Sequence, residues 1–150
     1  MLEQKIEQDL KAALLNHDSV KVSTLRGLKS ALLDYKVSHG SRGQLVPDEE
    51  VIRLLAKESK KRQESIDLYV QGADSNRAEA ELTEKAILDS YLPEKLNEQE
   101  LVAIIDQVIA EIGAQDKSVM GKVITEVKVR TQGAADGAMI ASLVKNKLAA

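Results

Sequence analysis

The stretch VMGKVITEVKVRTQGAADGAMIASLVKNKL, residues 119–148, sets Gly121-Lys122 inside a helical pattern. Gly133, Asp136 and Gly137 fall in a short gap before a second apolar helix. Glycine beside lysine is the pairing a P-loop uses to hold phosphate, with backbone N–H groups around the oxygens and an ammonium against the charge. That motif requires a glycine five positions earlier and a hydroxyl directly after the lysine, where this chain has Asp116 and Val123. The P-loop reading fails. Close helix packing is then the expected role of Gly121, at a helix-propensity cost of ~1 kcal/mol. In the gap, Asp136 can cap the last helix and Gly137 can present backbone N–H groups at its start, where anions are attracted. The Asp136 carboxylate can satisfy the same donors, so a plain capped turn and a phosphate contact both fit. Lys122, Lys128 and Arg130 are the cations around it.

A second basic cluster lies in RLLAKESKKRQES, where Arg53, Lys57, Lys60 and Lys61 share one helical face. Such a stripe can follow phosphates, each contact adding to salt-dependent binding. Glu50, Glu58 and Glu64 sit one turn away, and a solvated surface laced with ion pairs is the blander account. Residues for catalysis are scarce. The two histidines, His17 and His39, fall at predicted helix ends and in no metal-ligand spacing, and are read as surface or capping residues. No serine lies in a G-x-S-x-G elbow. The absence of cysteine excludes disulfides, zinc-thiolate sites and cysteine nucleophiles, and fits a reducing cytoplasm. We expect no metal and no cofactor.

These residues must be positioned by helices. The chain is 43% hydrophobic and 30% charged, with three Tyr, no Phe and no Trp, and is dominated by good helix formers. Leu2, Ile6, Leu10, Ala13 and Leu14 give a first amphipathic helix stopped near Asn16-His17-Asp18. Asp18 or Ser19 caps a second, with Val22, Leu25, Leu28, Leu32 and Val37 on its stripe. Pro47 with Asp48-Glu49-Glu50 starts a third that runs to about Gln71-Gly72. A fourth covers roughly 75–91, with Leu82, Ala86 and Leu88 inward, and ends before Pro93. NEQELVAIIDQVIAEIG carries a capping box at Asn97 and Glu100, a stripe from Leu101 to Ile112, and Gly113 as a left-handed stop. Met120, Val123, Ile124 and Val127 make a sixth helix, and Ile140, Leu143, Val144 and Leu148 a seventh. The reading is all-α: a four-helix N-terminal subdomain over 1–93 and a three-helix C-terminal one over 94–150.

Charge is uneven along this frame. Residues 1–73 carry 12 basic and 11 acidic side chains, 74–116 carry 3 and 11, and 117–150 carry 6 and 2. The basic tail suggests a local anion preference or an attraction to the acidic middle. The opening MLEQKIEQDLKAALL is read as neither a signal peptide nor a presequence, and no apolar run is long enough to span a bilayer, so a cytoplasmic protein is expected.

Four strings taken together resemble one family: LRGLKSAL (25–32), KESKKRQESIDLY (57–69), LDSYLPEKLNEQEL (88–101) and MGKVITEVKVRTQGAADGAMIASLVKNKL (120–148). The chain is similar to the YqeY family, which is related to the tail domain of the B subunit of the tRNA-dependent Asp/Glu amidotransferase, GatB. The resemblance implies four helices followed by three. It also implies proximity to tRNA, since the related tail contacts the tRNA outer corner while ATP-dependent amide transfer takes place elsewhere. By the same resemblance the residues to watch are Gly121, Lys122, Gly133, Asp136, Gly137 and Lys145, with Arg26, Lys60, Arg62, Ser65 and Tyr69 in the first half. Family members often carry Arg or Lys after the loop glycine and after the Asp-Gly pair, where this chain has Ala134 and Ala138, a loss of two candidate phosphate contacts. The expected function is a non-catalytic accessory domain associated with tRNA through the basic C-terminal subdomain. Alternatives are an adaptor for an amidotransferase-like or translation assembly, and a part of a glutamine-dependent carbon-nitrogen ligase.

Overall fold

Aliphatic stripes without large aromatics bury themselves best by laying helix against helix, and a computed structural model, which describes residues 1–149, shows this arrangement. Among the described residues there are seven α-helices, one 3-10 turn and no strand. The chain divides into two compact units, Met1–Leu92 and Pro93–Ala150.

The first unit holds α1 (Leu2–Leu15), α2 (Ser19–Ser38), α3 (Asp48–Gln71) and α4 (Ser75–Asp89). Helix α1 stops where His17 takes a left-handed φ of 55°, and Asp18 caps α2 by accepting the N–H of Lys21 at 3.2 Å. Ala73, at φ 54°, makes the same kind of stop after α3, whereas the neighbouring Gly72 keeps an ordinary φ of −80°. The core of this unit runs through Ile6, Leu10, Leu25, Leu28, Leu32, Val46, Val51, Leu55 and Leu88.

Three side chains expected on apolar stripes point outward: Leu14 is 44%, Val37 46% and Ile112 39% exposed. The inward face expected for α4 is corrected more deeply. Leu88 is buried, but Leu82 is half exposed and Ala86 is exposed. Instead the inner line of α4 runs through Ala78, Glu81, Glu84 and Leu88, because Arg62 of α3 reaches Glu81 at 3.0 Å and also pairs with Glu84. Burial draws the Arg62 pKa down, but its hydrogen bond to Glu81 and the charges of Glu84, Glu81 and Glu58 more than offset this and leave it raised. Ser59 of α3 donates to Asp89 at 2.5 Å on the same seam. These polar partners occupy the face of α4 that packs on α3.

A second polar tie joins α1, α2 and the segment entering α3. Glu3 is buried, accepts the Lys36 ammonium at 2.5 Å with one oxygen and takes the backbone N–H of Val46 at 2.6 Å with the other. The N–H of Leu2 donates to Asp48 at 2.9 Å beside it. Tyr91 closes the other side by donating to Asp9 at 2.5 Å; burial, then the hydrogen bond and charge of Asp9, push its phenol pKa up.

The second unit holds α5 (Glu98–Ile112), a 3-10 turn (Lys117–Val119), α6 (Met120–Thr131) and α7 (Gly137–Ala149). The capping box is present in full: Glu100 N–H donates to Asn97 at 2.8 Å and Asn97 N–H to the Glu100 carboxylate at 3.0 Å. Gly113 ends α5 at a left-handed φ of 71°. Leu101, Ile105, Val108, Val123, Val127, Ile140 and Val144 form the core of this unit. The N–H of Leu96 reaches the carbonyl of Ala134 at 2.8 Å, holding the entry to α5 against the α6–α7 loop.

All three tyrosines lie in the first unit, so tyrosine fluorescence reports on it alone. Glu3→Ala strands the Lys36 ammonium and the Val46 N–H, and is expected to cost about 3 kcal/mol in urea denaturation followed by that signal. Glu3→Gln, which keeps an acceptor for Val46, should cost less; a loss within the error of the method for Glu3→Ala would show that the tie is dispensable.

Candidate anion-binding surface on the second unit

Helix α6 begins at Met120, so Gly121 and Lys122 lie in its first turn. Gly121 is exposed, and a Cβ built on it would meet nothing within 4 Å. The close packing expected for this glycine is therefore absent from the unit. Its carbonyl accepts the Thr125 hydroxyl at 2.8 Å, and the Lys122 side chain is exposed.

At the far end of α6 the chain turns through two left-handed residues, Gln132 at φ 45° and Gly133 at φ 84°. Asp136 then caps α7, accepting the Ala138 N–H at 3.0 Å. The cap expected from the sequence is thus formed. Of the three cations expected around this gap, Lys128 lies against it. A Cβ on Gly137 would lie 3.4 Å from the Lys128 Cε and 3.6 Å from its Nζ, so the ammonium lies over the first turn of α7. A cation is unfavourable at the positive end of a helix. The arrangement gains from a negative charge, and Asp136 supplies one without closing an ion pair with Lys128 among the described residues. Ala134 is buried and its carbonyl is taken by Leu96, so that position serves packing, while Ala138 is exposed.

The other cations divide by whether a carboxylate already holds them. Arg130 donates to Glu126 at 2.9 Å and also pairs with Glu111 across to α5. Its hydrogen bonds to Glu111 and Glu126 raise its pKa, and its own bond to Glu111 is the main cause holding that carboxyl below its usual range. Lys147 reaches Asp106 at 3.1 Å. Lys117, Lys122, Lys128 and Lys145 have no carboxylate partner among the described residues. In the first unit, Arg53 pairs with Glu50 at 3.2 Å, Lys61 with Glu58 at 3.3 Å, and Arg62 with its two α4 glutamates. Lys57 and Lys60 have no such partner among the described residues. Tyr69 has the Arg77 guanidinium 5.9 Å from its ring centre, and Ser65 is half-buried.

His39 is a capping residue: its Nδ1 lies 2.9 Å from the Tyr35 carbonyl and 3.0 Å from the Ser38 hydroxyl, and its ring stacks on Tyr35. That hydroxyl already donates to the Tyr35 carbonyl at 2.9 Å, so the Ser–His contact belongs to the end of α2. Among the described residues no group of three or more His, Cys, Asp or Glu could hold a metal ion, and no helix is long and apolar enough to cross a membrane.

These features define a small all-helical protein of two aliphatic units, the second bearing lysines that no carboxylate neutralises among the described residues. A family model described as Yqey-like protein matches residues 3–148, and the chain belongs to that family. No curated protein matches it.

Two outcomes follow from this geometry. Gly121→Ala is expected to raise the stability of the second unit by roughly 0.5–1 kcal/mol, since the methyl meets open space and only the propensity term changes; chemical denaturation read by far-ultraviolet circular dichroism checks it, and a destabilised variant would restore a packing role. For the Arg130–Glu111 pair the sign is fixed by the depressed carboxyl. Its contribution is present above the unfolded glutamate pKa and is lost as pH falls through the folded one. The Tm difference between the native protein and Arg130→Ala should therefore be largest near neutral pH and close under acid.

Proposed function

We propose that this protein is a non-catalytic helical accessory domain that associates with tRNA through its second unit, binding phosphate and shape rather than base sequence. The observation that carries this reading is the partition of the tail's cations. Arg130 and Lys147 are held by carboxylates, whereas Lys117, Lys122, Lys128 and Lys145, without a carboxylate partner among the described residues, are left for an external anion. Lys128 over the start of α7 adds backbone donors to a side-chain charge at one point. The exposed Gly121 supports the same reading, because a glycine in a first helical turn with nothing beside it lets a phosphodiester backbone approach closely. The relation of the YqeY family to the amidotransferase B-subunit tail points to the same ligand.

The test is the salt dependence of tRNA binding. Lys122→Ala/Lys128→Ala/Lys145→Ala should weaken binding and reduce the slope of log K against log salt by about one per lysine removed. Arg130→Ala, whose guanidinium is already engaged, should leave that slope nearly unchanged. No binding at low salt, or a slope indifferent to the lysines, would sink the proposal.

A further inference from the structure

A separate feature of the first unit carries an inference independent of the tRNA reading. Between α1 and α2 runs a groove of about 520 Å³, within the size range of binding clefts. Glu3, Ile6, Glu7 and Leu10 line it from α1, at the i, i+3, i+4, i+7 spacing of one helical face. Arg26, Ser30 and Leu33 line it from α2 at i, i+4, i+7, and Arg42 comes from the segment after that helix. Lys36 meets Glu3 at 2.5 Å and Lys29 meets Glu7 at 3.6 Å, so the two helices run antiparallel along the groove and these charges cancel in pairs. Arg26 and Arg42 are exposed and have no carboxylate partner among the described residues. They stand toward opposite ends, since Arg42 belongs to the end at Glu3 and Lys36, and the ten residues from Lys36 back to Arg26 span about 15 Å of helix. Between them Leu33 is 55% exposed above a floor of Ile6, Leu10 and Leu32.

We infer that this groove is a docking site for an acidic amphipathic helix of a partner protein. Its aliphatic stripe would lie over Leu33 and the floor, and carboxylates near its two ends would meet Arg26 and Arg42. The furrow between two antiparallel helices is the shape into which a third helix packs. Guanidinium groups favour carboxylates through paired, planar hydrogen bonds. RNA fits less well: a phosphodiester strand carries a charge at every nucleotide, whereas the unpaired cations here stand only toward the two ends, and it gains nothing from Leu33 between them.

The experiment is a nuclear magnetic resonance titration of the intact, isotope-labelled chain. The probe is a capped helical peptide of about 14 residues, long enough for the groove, with leucines at i, i+3, i+4, i+7 and flanking glutamates. A twin carries lysine in place of glutamate. The expected result is that perturbations fall on 3–10, 26–36 and 42 and that the lysine twin does not bind. Arg26→Ala/Arg42→Ala, and separately Leu33→Asp, should each weaken the acidic peptide by about tenfold or more. All three positions are exposed, so the fold should survive, as circular dichroism can verify. Absence of binding, equal binding by the lysine twin, or perturbations elsewhere would overturn the inference. So would polyuridylate displacing the peptide from the same resonances, which would give the groove to RNA. Self-association abolished by Leu33→Asp would give it to a second copy and overturn it equally.

Discussion

With no phenylalanine or tryptophan, both units must exclude water with branched aliphatic side chains, and this constraint governs the architecture. A leucine or isoleucine buries enough surface to contribute about 1.5–3 kcal/mol only when it is almost fully enclosed. Such enclosure requires helices in contact along much of their length. The cores accordingly follow continuous stripes, Ile6 to Leu10 against Leu25 to Leu32 in the first unit and Leu101 to Val108 against Val123, Val127 and Val144 in the second. Each stripe is narrow. Where it runs out, as along Ser59 and Arg62 of α3, polar partners take over the interface with the neighbouring helix.

The disposition of charge follows from the same geometry. A carboxylate near a helix seam captures the cation facing it, which removes that cation from any surface role. Glu3 holds Lys36, Glu81 and Glu84 hold Arg62, and Glu111 with Glu126 holds Arg130. Side chains that escape capture define the surfaces on which an external anion can act. On the second unit these are lysines, compact and strongly hydrated, suited to phosphate as point charges. On the first unit they include Lys57 and Lys60 of α3 and the arginines at the two ends of the α1–α2 groove, the latter suited to carboxylates. The two proposals therefore rest on different residues and different chemistry.

Helix ends contribute the remaining order. The Asn97–Glu100 box and the Asp18, Asp74 and Asp136 caps satisfy backbone donors that would otherwise be left open at each start. Left-handed residues turn the chain after α1, α3, α5 and α6, and only some of them are glycine. His17, Ala73 and Gln132 adopt this conformation because the following hydrogen bonds hold them there.

Local spacing is enough for the helix count and order, the caps at Asn97 and Asp136, the stop at Gly113, and the family, because these depend on neighbours a turn or less away or on strings of residues in order; for α2 it leaves Asp18 and Ser19 as alternatives, and the structure gives the cap to Asp18. Leu82 and Ala86 are expected inward on hydrophobicity, whereas the face of α4 toward α3 carries Glu81 and Glu84, which meet Arg62 some twenty positions earlier. Gly121 reads as a packing glycine because a sequence shows the residue and not the open space beside it. Which basic residues are free was equally invisible: Lys122 and Arg130 look alike in the chain, and only the approach of α5 places Glu111 against one of them. Pairings within a helical turn follow from spacing, while pairings across dozens of residues exist only once the helices pack.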